Sequence, residues 1–165
     1  MRLFTYCLFF GMLISFIGGI VACTLEDSNM ELDFTHQNED LINDLYIHDS
    51  TFDGFFYNYT KRQIDLVCNN TLRKVRFHFQ FNNTLSCYLQ SCSFWHGGNS
   101  VMDVCVEKNS PQMDELNKLQ EQHKEIYEGS YLDRGIIYMQ VKFLLNSGDT
   151  LLVICENIHF REEMY

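Results

Sequence analysis

Between Lys74 and Phe81 the chain alternates without a break. Val75, Phe77, Phe79 and Phe81 occupy every second position, and Lys74, Arg76, His78 and Gln80 stand between them. Side chains of a strand point to opposite faces in turn, so this pattern is a strand with one face buried and one wet. Four large apolar groups on one face require a second layer to cover them. Upstream, FDGFFYNY (52 to 59) and QIDLVC (63 to 68) read as two further strands, joined at Thr60-Lys61-Arg62. Asn69-Asn70-Thr71 supplies the next turn, and the three strands make an antiparallel meander.

The rest of the chain is consistent with that start. Cys87 to Trp95 is readable as strand or as irregular structure, and His96-Gly97-Gly98-Asn99 is a loop. Val101 to Val106 is another strand. Ser110-Pro111 opens one clear helix, about 111 to 128, because Ser caps free N–H groups and Pro is preset for the first turn. Met113, Leu116, Leu119, His123 and Ile126 share a face, and Gly129 can end the helix. Ile136 to Leu145 and Thr150 to Ile158 form a hairpin across Asn146-Ser147-Gly148-Asp149. Leu151 to Ile154 is apolar on both faces and belongs in the middle of a sheet, covered by the helix or by a second sheet. The expected class is α+β: an antiparallel-dominated sheet or β-sandwich with one main helix.

The N-terminus carries a different signal. Arg2 precedes an apolar run from Leu3 to Val21, which has the form of an export signal. The run approaches the roughly 20 residues that span a bilayer, so retention as an uncleaved anchor is an alternative. Its end, Ile20-Val21-Ala22-Cys23, resembles the lipobox of bacterial lipoproteins. That resemblance implies a diacylglycerol on the thiol of Cys23, cleavage just before it, and a membrane-held protein on the exported side. It departs from the family pattern in having a single basic residue at its start. The other alternative is ordinary secretion, with Cys23 a plain cysteine. The expected organisation is a signal peptide over 1–22, an acidic tether over 23–40 and a single β-rich domain over 41–165.

Charge supports the tether. From Cys23 to Thr60 there is no Lys or Arg, while Glu26, Asp27, Glu31, Asp33, Glu39, Asp40, Asp44, Asp49 and Asp53 all fall there. Low hydrophobicity with one sign of charge favours a solvated, extended chain. A short helix around Asp40 to Tyr46 can pack onto the domain. The net charge of the whole chain is −10. Such a surface repels phosphate backbones, so no nucleic-acid partner is expected. It offers anionic lipids nothing either, so contact with the membrane rests on the lipid anchor. A protein partner is expected, of unknown identity.

No catalytic arrangement stands out, and the expectation is a non-enzymatic protein with no cofactor. Cys87 and Cys92 are spaced C-x4-C with His96 four residues on, a weak zinc-like pattern. Cys92, His96 and Asp103 resemble no nucleophile motif. Cys68, Cys105 and Cys155 sit inside apolar strand patterns, as buried thiols do. If Cys23 is not lipidated, six cysteines remain after signal removal and three disulfides become possible. That alternative, a secreted disulfide-bonded glycoprotein of a eukaryote or its virus, would use the N-x-T sequons at Asn58, Asn69 and Asn82 as glycan acceptors. IHDSTFDGFFYNY (47 to 59), SCSFWHGGN (91 to 99) and LNSGDTLLVICENI (145 to 158) resemble small bacterial proteins of uncharacterised role. The HDS start followed by a meander is similar to some immunity-type proteins of bacterial competition systems, which implies a partner-binding role.

Overall fold

The computed structural model describes residues 29–90, 98–124 and 135–165. Nine strands form two antiparallel sheets: β1 Met30–Thr35, β2 Thr51–Asn58, β3 Gln63–Asn70, β4 Val75–Asn82, β5 Ser86–Gln90, β6 Val101–Val106, β7 Met139–Leu145, β8 Thr150–Cys155 and β9 Asn157–Met164. One helix, α1, covers Pro111–Lys124, and a 3-10 helix covers Glu39–Asp44. The larger sheet runs β1-β9-β4-β3-β2 and the smaller β5-β8-β7-β6. The β-rich α+β class read from the sequence is the class observed.

The alternation in β4 sets the core. Val75, Phe77, Phe79 and Phe81 are all buried, and β3 matches them with Ile64, Leu66 and Cys68. The smaller sheet returns Val141, Phe143, Leu151 and Val153. Phe79 touches Phe143 edge-on at 5.2 Å and Phe160 at 4.9 Å, so its ring joins the two sheets. Burying one such side chain contributes about 1.5–3 kcal/mol. β8 is apolar on both faces as expected, with Leu152 and Ile154 buried on the side away from the larger sheet.

Two expectations are corrected. The tether expected over 23–40 contains β1, and the domain starts before the boundary placed near Leu41. Met30–Thr35 pairs with β9, with Phe34 buried and Asp33 facing out. The alternation of Leu32 and Phe34 with Glu31 and Asp33 is too short to stand out within an acidic stretch. The strand expected over Thr150 to Ile158 divides in two. β8 ends at Cys155, the Glu156 N–H donates to the Asn82 carbonyl at 3.2 Å, and the chain enters the larger sheet as β9. There Ile158 and Phe160 face the core between β1 and β4.

α1 starts as read. The Met113 N–H donates to Ser110 Oγ at 3.0 Å, and Pro111 fills the first turn. Ser110 Oγ also donates to Gln140 Oε1 at 2.5 Å, Gln140 Nε2 donates to Glu107 at 2.7 Å, and Lys142 pairs with Glu107 at 2.9 Å. This polar chain, buried at Ser110 and Gln140 and half-buried at Glu107 and Lys142, ties the helix start to β7. The expected helix end at 125–128, with Ile126 and Gly129, lies outside the described residues.

Candidate binding edge

β2 is one of the two edge strands of the larger sheet, with β1 at the other edge, and it is rich in aromatics. Under period two, Phe55, Phe56 and Tyr57 cannot all face one core. Phe55 and Tyr57 stand opposite the buried Leu66 and Ile64, whereas Phe56 stands opposite Asp65 on the outer face. At the sheet edge neither side is fully covered. Phe56 is 65% exposed and Tyr59, just past the strand, 83%. Tyr57 and Tyr59 meet edge to face at 6.0 Å. Three consecutive exposed aromatics exceed the scattered apolar groups usual on a surface.

The local backbone explains why only part of this edge is open. At the start of β2 the Phe52 N–H donates to the Asn99 carbonyl at 2.7 Å, and Asn99 Nδ2 donates back to Phe52 O at 2.6 Å. Ser100 bridges Thr51. A bulge then falls between Phe52 and Gly54, where Gly54 holds φ +134°, a conformation that L side chains rarely adopt. Beyond it, Gly54 to Asn58 pairs with β3 on one side and with no strand on the other among the described residues. At the far end Asn58 Oδ1 accepts the Lys61 N–H at 3.1 Å and closes the turn.

The outer face beside this edge is polar and internally bonded. One row crosses all five strands as Asp33, His159, Gln80, Asp65 and Phe56. Asp33 pairs with His159 at 2.8 Å. Asp65 accepts from Gln63 at 2.9 and 3.1 Å and from Gln80 at 3.2 Å. In the next row His78 contacts Glu163 at 3.2 Å. Burial and the neighbouring Arg161 hold the His78 imidazole below its ordinary pKa, against the pull of Glu163. A shallow groove of about 180 Å³ runs between Asp65, Val67, His78, Gln80, His159 and Arg161. The Arg161 Nε is buried there without a hydrogen-bond partner among the described residues.

Charge balance differs along the molecule. Glu107 has Lys142, Asp40 has Lys108 and Glu162 has Arg73. The two carboxylates that flank the aromatic edge have amides instead. Asp65 accepts from the two glutamines, and Asp53 accepts from Asn69 Nδ2. Neither carries a salt bridge among the described residues.

Most of the candidate chemistry read from the sequence falls outside the described residues. Cys23, Cys92 and His96 lie outside the described residues, so the lipid site, the zinc-like spacing and the Cys92, His96 and Asp103 trio have no geometry here. Asp103 lies on β6 and Cys87 on β5. Burial pushes the Cys68 thiol up to about 12, with the Asp53 carboxylate adding to it. Cys155, Cys87 and Cys105 are also raised, burial first in each case. Such thiols are poor nucleophiles. Among the described residues no three His, Cys, Asp or Glu side chains form a metal-binding group, and no helix is long and apolar enough to cross a membrane.

The sequons differ in setting. Asn58 is the last residue of β2, and its Oδ1 accepts the Lys61 N–H of the turn. Asn82 donates to Asn157 at 2.9 Å, and Asn69 is engaged at both ends of its amide, by Asp53 and by Arg76 Nε at 2.8 Å. A glycan on Asn69 would be attached at Nδ2, the atom that donates to Asp53. No protein-family model and no curated protein matches the chain.

Proposed function

We propose that this chain is a lipid-anchored protein of the cell envelope and that its domain is a non-enzymatic module binding another protein. The observation that carries the binding reading is the aromatic edge from Gly54 to Tyr59. Native sheets blunt their exposed edges, because an open ladder with apolar side chains recruits other chains. Here the blunting stops at the bulge, and the open part holds the exposed aromatics, which are the residue types that anchor protein interfaces. The raised thiols of Cys68, Cys87, Cys105 and Cys155 support a role that does not use these cysteines as nucleophiles. The lipobox and the apolar run before it support anchoring through Cys23.

Site-specific photocrosslinking in producing cells tests the reading. With p-benzoylphenylalanine placed at Phe56 or Tyr59, one discrete adduct is expected. The same probe at Leu72, 91% exposed in the β3–β4 turn, should give none of it. Identical patterns from all three positions would remove the edge as the docking surface. For the anchor, a palmitate analogue should label the parent and not Cys23→Ala.

A further inference from the structure

The geometry points to the chemistry of the partner: an extended, basic segment that adds as a sixth strand beside β2, placing Lys or Arg side chains across Phe56 and next to Asp65 and Asp53. This rests on the reading of β2 as a docking edge and specifies what docks there.

Strand addition follows from the open ladder. Among the described residues no strand pairs with Gly54 to Asn58 on the side away from β3, and the Asn99 and Ser100 pairing fixes where an added strand must stop. Main-chain hydrogen bonds supply affinity in this mode, and alternate side chains supply specificity. Adjacent strands lie about 4.8 Å apart, so an added residue opposite Phe56 sits about two spacings from Asp65. A lysine or arginine spans that gap. On its way it crosses the exposed face of Phe56, where cations are attracted to the ring.

Charge selects that cation. Asp65 and Asp53 are held in place by amides, which orient a carboxylate without cancelling its charge. A second copy of this chain would bring a net charge of −10 against another −10, and would set two such carboxylate pairs face to face. An acidic segment meets the same repulsion. A basic strand supplies the direct ion pairs that Asp65 and Asp53 do not have among the described residues.

The test uses the full-length chain in detergent and two acetylated, amidated nonapeptides, one alternating lysine with valine, the other glutamate with valine. The basic peptide is expected to bind about tenfold or more tighter, to shift the amide signals of Gly54 to Asn58 and to slow their hydrogen exchange. Binding should weaken about fivefold or more between about 50 and 500 mM NaCl, because exposed pairs are screened. The doubly substituted Asp53→Asn, Asp65→Asn chain keeps the shape and one acceptor oxygen at each position, so Gln63 and Gln80 still have an oxygen to donate to at position 65. It should lose about tenfold in affinity and most of the salt dependence. Equal binding of both peptides, no binding of either, or shifts centred away from β2 would each overturn the inference. Crosslinking at Phe56 that persists in that event would leave the docking edge standing and reject only the basic strand.

Discussion

Replacing Ser110 by alanine removes one oxygen that serves two elements. Ser110 Oγ accepts the Met113 N–H as the helix cap and donates to the buried Gln140. Loss of a serine cap costs about 1 kcal/mol. The second loss is larger in kind. Gln140 is 1% exposed, and its Oε1 would be left in the interior without a donor, at about 1–3 kcal/mol. Together the expected destabilisation is about 2–4 kcal/mol, well above that of a cap alone. Urea unfolding followed by far-ultraviolet circular dichroism measures it, with the slope of the transition unchanged. A cycle with Gln140→Met separates the two parts, since the double variant no longer strands an acceptor. A coupling of about 1–2 kcal/mol is expected. A Ser110→Ala cost below about 1 kcal/mol, with no coupling, would show that the Ser110–Gln140 bond contributes nothing to the fold.

Further outcomes follow from other parts of the molecule. Phe79→Ala should cost about 3–5 kcal/mol in the same assay, because the ring is buried and touches Phe77's neighbour Phe160, Phe81 and Phe143 at once. The His78 imidazole titrates lower in the folded state than in the unfolded chain, so the unfolded chain binds more protons as pH drops below about 6.5. Stability should therefore fall with pH in that range, and His78→Gln should flatten the fall; an unchanged profile in the variant would refute the assignment. Cys68 and Cys155, both fully buried, should react with a thiol reagent at neutral pH far more slowly than the exposed Cys87. Denaturant should abolish that difference, which mass spectrometry of labelled peptides reads directly.

The strands that could be read from the sequence are those with unbroken alternation or clear turns. β4 announces itself through four apolar residues in register, and the β2–β3–β4 meander follows from Thr60-Lys61-Arg62 and Asn69-Asn70-Thr71. The cap at Ser110 was visible because capping is local chemistry. What escaped was non-local. β1 carries the same alternation as β4 but over fewer residues, and only the distant β9 makes it a strand. Glu156 gives no sign that the chain changes sheets there, since that depends on which strand stands free to receive it. The edge position of β2 is a matter of sheet order, which no local pattern encodes. Its one clue was Phe55-Phe56-Tyr57, a run too aromatic for a single buried face.

The insertion of β9 between β1 and β4 has a bearing on when this domain can form. Among the described residues β1 pairs with β9 alone, so Met30 waits for Glu162. During synthesis the β2–β3–β4 meander can close early, yet one of its flanks and the whole of β1 stay open until the final strand emerges. Contacts between such distant parts of a chain form slowly, because a long loop must close first. A sheet arranged in this way has the seam between β1 and β4 closed by β9, so its two flanks become one surface in a single late step.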